Sequence, residues 1–358
     1  MIKRYINKII IKKYIELMEL NGSNKDKFWN EHTLNDFQIS TIYKNIHFQN
    51  ITSVCFLKDK RISSSSRNFI FIYNKRTFQN EITIEEKKEI CYMNVNNDGI
   101  LISCLEGTYL NLYEIKGKNY KNIQTIKPFS FLINIIGKFN DSFSIKKFIE
   151  FKNGNIAILA WGYAICFYEK KRNSLKYSYL DKYSENVTDI CELGNNIYCI
   201  SLVYNNIVRI LNMNSKEIIE TFIPEYDFSF SESKNKILLM NKKDLLLVGK
   251  KNFIILDVQK KEKIKEIKLE ISDYLCFIYK LTNNIIIAVC GNNYIEQLKY
   301  DDTKRELKKI SFKGIKNFET LYLKNCTSLS IFNNDLFVFP KSNNSLIIYK
   351  LKKNKNKG

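Results

Sequence analysis

From Ile51 onward the chain is written in short apolar runs that come in groups of four, and the groups repeat. Runs of Ile, Val, Phe, Tyr and Leu alternate with clusters of Asn, Lys, Asp, Gly and Ser. Runs of about four to eight β-branched and aromatic residues are too short for helices, so each predicts a strand closed by a turn. No strand–helix–strand rhythm is visible, which disfavours a parallel doubly wound sheet. A four-strand unit recurring about every 40 to 55 residues predicts small sheets that bury their faces against their neighbours.

The first group runs ITSVCFL from Ile51, RISSSS from Arg61, FIFIYN from Phe69 and NEITIE from Asn80. The second starts at Glu89, the third at Ile145, the fourth at Val187, the fifth at Lys236 and the sixth at Tyr274. The seventh, from Thr327, holds only TSLSIF, LFVFP and SLIIYKL before the polar tail KKNKNKG. An orphan run upstream, Gln38–Phe48, supplies the missing strand. One outer strand from the N-terminal side then completes the last unit and removes an open sheet edge. The expected fold is all-β, a seven-bladed β-propeller with a short N-terminal α-helix. Residues 1–36 form an amphipathic helix and polar linker, 37–351 the propeller and 352–358 a basic tail.

The helix is read from Met1–Leu20. Ile2, Ile6, Ile9, Ile10, Tyr14, Leu17 and Met18 recur at helical spacing, with Lys3, Arg4, Lys8, Lys12 and Lys13 between them. It is expected to pack on the domain or on a partner. A mitochondrial presequence and a membrane-surface helix are the alternatives, although presequences favour Arg and Ser over the Lys and Ile found here. No run reaches the about 18 apolar residues of a membrane-spanning helix.

The formal net charge of +20 points first to nucleic acid or an anionic membrane. The lysines are scattered, however, and the abundance of Ile, Lys, Asn, Tyr and Phe has the look of A+T-biased coding. A solvated basic surface is therefore expected, with anion binding as the alternative. The nine cysteines sit in apolar runs without a C-x-x-C. Cys55, Cys91, Cys191 and Cys276 fall at similar points of four first strands, and Cys104, Cys199 and Cys290 in three second strands. Repeated niches around a ring predict buried, unbridged thiols in a reducing, cytoplasmic compartment rather than a metal centre, which needs converging ligands. The only histidines are His32 and His47, and no phosphate-loop, dinucleotide or H-E-x-x-H motif occurs. No enzyme activity, cofactor or metal is expected.

The groups share a pattern. Second strands end in small residues, as in Ile62–Ser66, Leu101–Leu105 and Ile286–Gly291. Third strands end in an aliphatic or aromatic pair before a polar residue: Ile72-Tyr73-Asn74, Leu112-Tyr113-Glu114, Phe167-Tyr168-Glu169, Ile210-Leu211-Asn212, Ile255-Leu256-Asp257 and Ile348-Tyr349-Lys350. This resembles the WD-repeat propeller family over about Gln38–Leu351. The departures are plain. No Trp-Asp dipeptide and no Gly-His pair exist, so the family's Asp-His-Ser/Thr-Trp network cannot form here. Apolar packing, or Asn and Ser, must replace those buried links.

The resemblance implies a non-enzymatic interaction scaffold that binds partner proteins or peptides on the propeller faces. In the family, the turn after the second strand lies on the face where peptides dock. Arg67, Trp161, Tyr204, Lys250 and Lys251 occupy such turns, and Arg and aromatic residues are typical interface anchors. The alternatives are a ligand-binding or hydrolytic propeller enzyme, with acids converging at one channel mouth, and an anion-binding propeller for RNA or a membrane surface. Phosphoinositide-binding propellers carry a paired-Arg motif that is absent here. The partner and the process are not legible in the chain.

Overall fold

The computed structural model describes residues 37–43, 51–128, 145–222, 237–314 and 330–351, with short interruptions inside those spans. The predicted helix Met1–Leu20, the basic tail, Trp161, Tyr204 and Lys251 lie outside the described residues. The described strands form seven four-stranded antiparallel sheets. Sheet 1 is Ser53–Phe56, Ile62–Ser66, Phe69–Tyr73 and Asn80–Glu85, in that order. Sheet 2 is Ile90–Val95, Leu101–Leu105, Tyr109–Lys116 and Asn119–Ile126. Sheets 3 to 6 begin at Ile145–Glu150, Val187–Gly194, Ile237–Leu239 and Leu275–Lys280 and keep the same order. Sheet 7 holds Ser330–Phe332, Leu336–Lys341 and Ser345–Leu351, and its fourth strand is Phe37–Tyr43. Phe37 pairs with Leu351 and Tyr43 with Leu346, so the upstream run supplies the missing strand over those residues.

Burial explains the composition of each strand. Second strands are central and wholly buried in sheets 1, 2 and 5. Ile62–Ser66 manages this with serines, of which Ser63, Ser64 and Ser65 are fully buried and leave room for the neighbouring sheet. Fourth strands form the rim. Asn119–Ile126 and Glu217–Phe222 are mostly exposed; the first reads as a polar edge with Lys121, and the second carries Glu217 and Glu220 beside the exposed Ile218 and Ile219.

Besides one cluster within sheet 1 around Val54, Ile62 and Tyr73, the described core is a chain of clusters shared by two successive sheets. Cys55, Ile70 and Ile72 of sheet 1 pack with Met93, Leu101 and Tyr113 of sheet 2. Ile102 and Leu112 of sheet 2 pack with Phe148 and Ile158 of sheet 3. Phe151 and Phe167 then meet Tyr198 and Ile200 of sheet 4, and Val208 meets Leu247 and Ile254 of sheet 5. Phe253 and Ile255 of sheet 5 meet Ile278 and Ile286 of sheet 6. The first strand of sheet 1 also touches the first two strands of sheet 7. A fully buried Ile or Phe contributes about 1.5–3 kcal/mol, so each sheet draws much of its stability from its neighbours.

The repeated sequence pair has a structural meaning. In sheets 1 to 5 the pairing between third and fourth strands shifts register inside it, at Ile72/Tyr73, Leu112/Tyr113, Phe167/Tyr168, Ile210/Leu211 and Ile255/Leu256. The fourth strand carries an extra residue there, as a β-bulge does. First strands bulge as well, between Ile90 and Tyr92, Val187 and Asp189, and Leu275 and Phe277.

Those bulges correct one expectation. The four first-strand cysteines do not share one niche. Cys91 and Cys276 fall at the bulge itself and Cys191 lies beyond one, opposite Cys199, whereas Cys55 pairs with Ser63 in a strand of unbroken register. A bulge inserts one residue and so flips the inward–outward alternation. Cys55 is buried as expected, but Cys91 and Cys191 are only half-buried; both are unbridged. Burial pushes the Cys55 thiol far above its ordinary value and the Cys166 thiol up to about 12.

Candidate functional site

In a four-stranded antiparallel meander the turns alternate ends. The turn from second to third strand and the link from fourth strand to the next sheet share one end. The turns from first to second and from third to fourth strand share the other.

That second end is stitched by side chains that cross between sheets. Arg61 bonds Asp59 through Nε at 2.8 Å, approaches Glu81 at 3.3 Å and donates to the Gly117 carbonyl of sheet 2 at 2.5 Å. Glu81 is the extra residue of the bulged fourth strand in sheet 1. The Glu150 carboxylate of sheet 3 accepts from the Asn97 amide of sheet 2 at 2.6 Å. Arg305 of sheet 6 lies 2.9 Å from Asp257 and 3.2 Å from Asp244, both buried in sheet 5. Tyr300 donates its hydroxyl to Asp244 at 2.8 Å. Burial acts to raise Asp257, but the Lys260 and Gln259 amides and the Arg305 guanidinium hold it below its ordinary value.

The first end carries a cleft among the described residues. It encloses about 490 Å³ between the link from sheet 1 to sheet 2 and the outer half of sheet 2. Glu85, Glu86, Lys87, Lys88, Tyr109, Asn111, Tyr113, Asn122 and Thr125 are among its lining residues. Glu86 anchors it. Its amide donates to the Asn68 carbonyl at 2.7 Å, which ties the link to the turn of sheet 1. Its carboxylate is only 4% exposed and accepts from the Ser103 hydroxyl and from Asn111 Nδ2, the latter at 2.7 Å. Thr125 donates to Asn111 Oδ1 at 2.7 Å. Burial, then the neighbouring Glu86 charge, pushes the Tyr113 phenol well above its ordinary value. Ser103 and Asn111 face each other across the second and third strands. Ser and Asn thus carry a buried polar link here, in the manner expected from the loss of the Gly-His and Trp-Asp pairs.

Tyr109, Lys87 and Lys88 line the cleft as well, and Lys127 stands beside Tyr109 outside the lining. Lys88 Nζ lies 5.4 Å and Lys127 Nζ 5.2 Å from the Tyr109 ring centroid, within cation–π range. Among the described residues the lining holds carboxylates, amides, ammonium groups and phenols but no histidine or cysteine.

Two of the sequence-derived docking residues are described. Arg67 sits in the turn after the second strand of sheet 1 at a φ of 47°, its carbonyl accepting from the Ile90 amide at 2.7 Å. Its guanidinium is 3.6 Å from Glu89, and both side chains are 61% exposed. Arg67 therefore stands beside the Glu86 link. Lys250 is exposed on the corresponding turn of sheet 5, on the same end but three sheets further round the chain order than sheet 2. The sequence reading missed Glu86, Tyr109, Lys88 and Lys127, which come from separate segments. The available signal was the Ser in a second strand and the Asn in the following third strand.

Comparison with solved structures agrees with this architecture. A chain of the structure titled "Crystal Structure of Mitotic Checkpoint Complex" matches with a TM-score of 0.65 at 9% identity, covering 88% of this chain and 92% of that one. The structure of U3-55K matches with a TM-score of 0.64 at 12% identity over 89% and 99%. The RRP9 WD40 repeats match with a TM-score of 0.65 at 12% identity over 89% and 98%. No protein-family model and no curated protein matches the sequence. The fold is that of a WD40 propeller, all-β and built from four-stranded antiparallel sheets.

Proposed function

We propose that the seven sheets close into one ring and that this propeller is a non-enzymatic scaffold. It docks partner proteins or peptides on the end that bears the turns after the second strands. The observation that carries the reading is the asymmetry between the ends. Arginine clasps to buried or bulge carboxylates stitch one end, whereas the other, crossed more lightly by Asp189 accepting from the Ile237 amide and by the exposed Arg67–Glu89 pair, offers an open cleft with Arg67 beside it. The same fold serves in the Mitotic Checkpoint Complex, which supports protein partners as a class. Arg67, Trp161, Tyr204, Lys250 and Lys251 are the proposed contacts, and the proposed setting is cytoplasmic.

The test is affinity capture of the full chain from its native cell, followed by mass spectrometry. Arg67→Glu with Lys250→Glu should remove the captured partners. Lys118→Glu with Lys242→Glu, the same charge change on turns of the stitched end, should retain them. Equal loss from both pairs, or from neither, removes the proposal.

A further inference from the structure

The exposed apolar side chains gather on the outer strands rather than at either end. Among the described residues the large apolar side chains left exposed are Tyr120, Ile123, Ile218, Ile219 and Ile310, at 39 to 46%. All lie on the fourth strands of sheets 2, 4 and 6, the last being Glu306–Gly314. Three of them hold one structural position. Ile123, Ile219 and Ile310 are the extra residues of the bulges in those strands. The equivalent residue of sheet 1 is Glu81, which Arg61 engages, and that of sheet 5 is Ile264, half-buried against the core. A bulge already spoils an edge as a template for another strand, so protection of the edge does not call for isoleucine there.

Single exposed apolar residues are ordinary, but two of these edges hold them in pairs, and the pairs carry opposite charge. On sheet 4, Ile218 and Ile219 follow Glu217, which is exposed and makes no ion pair among the described residues. Its neighbour Glu220 is taken by Lys261 of sheet 5 at 2.9 Å. On sheet 2, Lys121 lies between Tyr120 and Ile123 and is likewise exposed and without an ion pair among the described residues. The Tyr120 ring meets Tyr113 edge-on at 6.0 Å and 71°, so it is presented in a set orientation and loses less freedom on binding. Sheet 3 packs between sheets 2 and 4, so these two edges belong to different molecules when they meet.

We infer that the outer edge of sheet 4 docks the outer edge of sheet 2 of a second copy of this chain. Ile218 and Ile219 pack on Tyr120 and Ile123 there, and Glu217 pairs with Lys121. The contact covers four of the five exposed apolar side chains at once. It is made through side chains, because bulged edges are poor partners for a continuous ladder. The two surfaces differ, so a copy bound through its sheet 4 edge keeps its sheet 2 edge free, and association runs past a dimer. Four apolar side chains cover less than the about 1,200 Å² of a stable interface, so the contact is weak.

It is tested on the full chain by sedimentation velocity in about 0.15 M salt, where the repulsion between copies of net charge +20 is screened beyond about 8 Å. Between about 10 μM and 1 mM protein the weight-average mass should rise with concentration. Glu217→Lys and Lys121→Glu each set like charges together and should each weaken association about fivefold, whereas a chain carrying both should recover it to within about twofold. Ile219→Ser should weaken it about tenfold, and Ile310→Ser, at the equivalent bulge of sheet 6, less than about twofold. The circular dichroism spectrum should be unchanged in all of them; should Ile219→Ser alter it, the charge exchange decides. A mass that stays at one chain across the range overturns the inference. So does an equal loss in Ile310→Ser, because general apolar adhesion then explains the association. So does a doubly exchanged chain that does not recover.

Discussion

Replacing Arg305 by Met tests whether the sheets are held together at the stitched end as described. The guanidinium is one-quarter exposed and serves two carboxylates, Asp244 and Asp257, whose side chains are 2% exposed. Breaking a buried pair by removing one partner costs about 3–5 kcal/mol, because the other charge stays buried. Partial access of water to Arg305 favours the low end, so we expect about 3 kcal/mol at pH 7. With a urea dependence of about 3 kcal/mol/M, the unfolding midpoint falls by about 1 M. The sign of the pH effect follows from Asp257, whose folded pKa is lowered. Its stabilisation is present above the unfolded carboxylate value of about 3.9 and is lost as pH falls through the folded one. The cost of Arg305→Met should therefore be full at neutral pH and shrink toward acid. Urea titrations at a series of pH values, with Asp257→Asn as the second arm of a double-mutant cycle, measure it. A cost below about 0.5 kcal/mol at pH 7, of the size of an exposed ion pair, would refute the reasoning. So would a cost that does not change with pH.

Three further outcomes follow. Glu86→Ala strands the Ser103 hydroxyl and the Asn111 amide, so it should destabilise the fold by about 1–3 kcal/mol in the same titration; a neutral effect would mean that the buried link is dispensable. A timed thiol-labelling experiment read by mass spectrometry should modify Cys91 and Cys191 well before Cys55, Cys104 and Cys166; uniform labelling would contradict the burial pattern. A chain starting at Asp36 should stay soluble with a β-type circular dichroism spectrum, whereas one starting at Asn50 lacks the strand Phe37–Tyr43 and should aggregate through the exposed edge of sheet 7; identical behaviour of the two would remove the closing role of that strand.

The strands were legible because their boundaries are chemical. Asn, Lys and Gly clusters interrupt the apolar runs at almost every turn, and the three-run last group left a place that Phe37–Tyr43 takes. The cysteine niches were misread because a bulge is a matter of backbone count. Cys91 and Cys55 look alike in their runs, but the extra residue between Ile90 and Tyr92 separates them. The cleft was illegible for another reason. Glu86 meets Ser103 and Asn111, and Lys127 meets Tyr109, only once sheet 2 is formed and the link from sheet 1 is laid against it, and no local spacing records that approach. The clasps are equally non-local, with Arg305 reaching Asp257 across 48 positions of sequence. Arg67 and Lys250 could be picked because the turn after a second strand can be located from the repeat alone.

The most direct test of the account is amide hydrogen exchange on the full chain, free and with its captured partner. The account predicts slowed exchange at residues 67–69, 86–90, 105–106 and 249–250, which lie at the docking end. Exchange should be unchanged at 58–60, 97–99, 117–118 and 241–243, at the stitched end. Protection confined to the stitched end, or spread evenly over both, would contradict it.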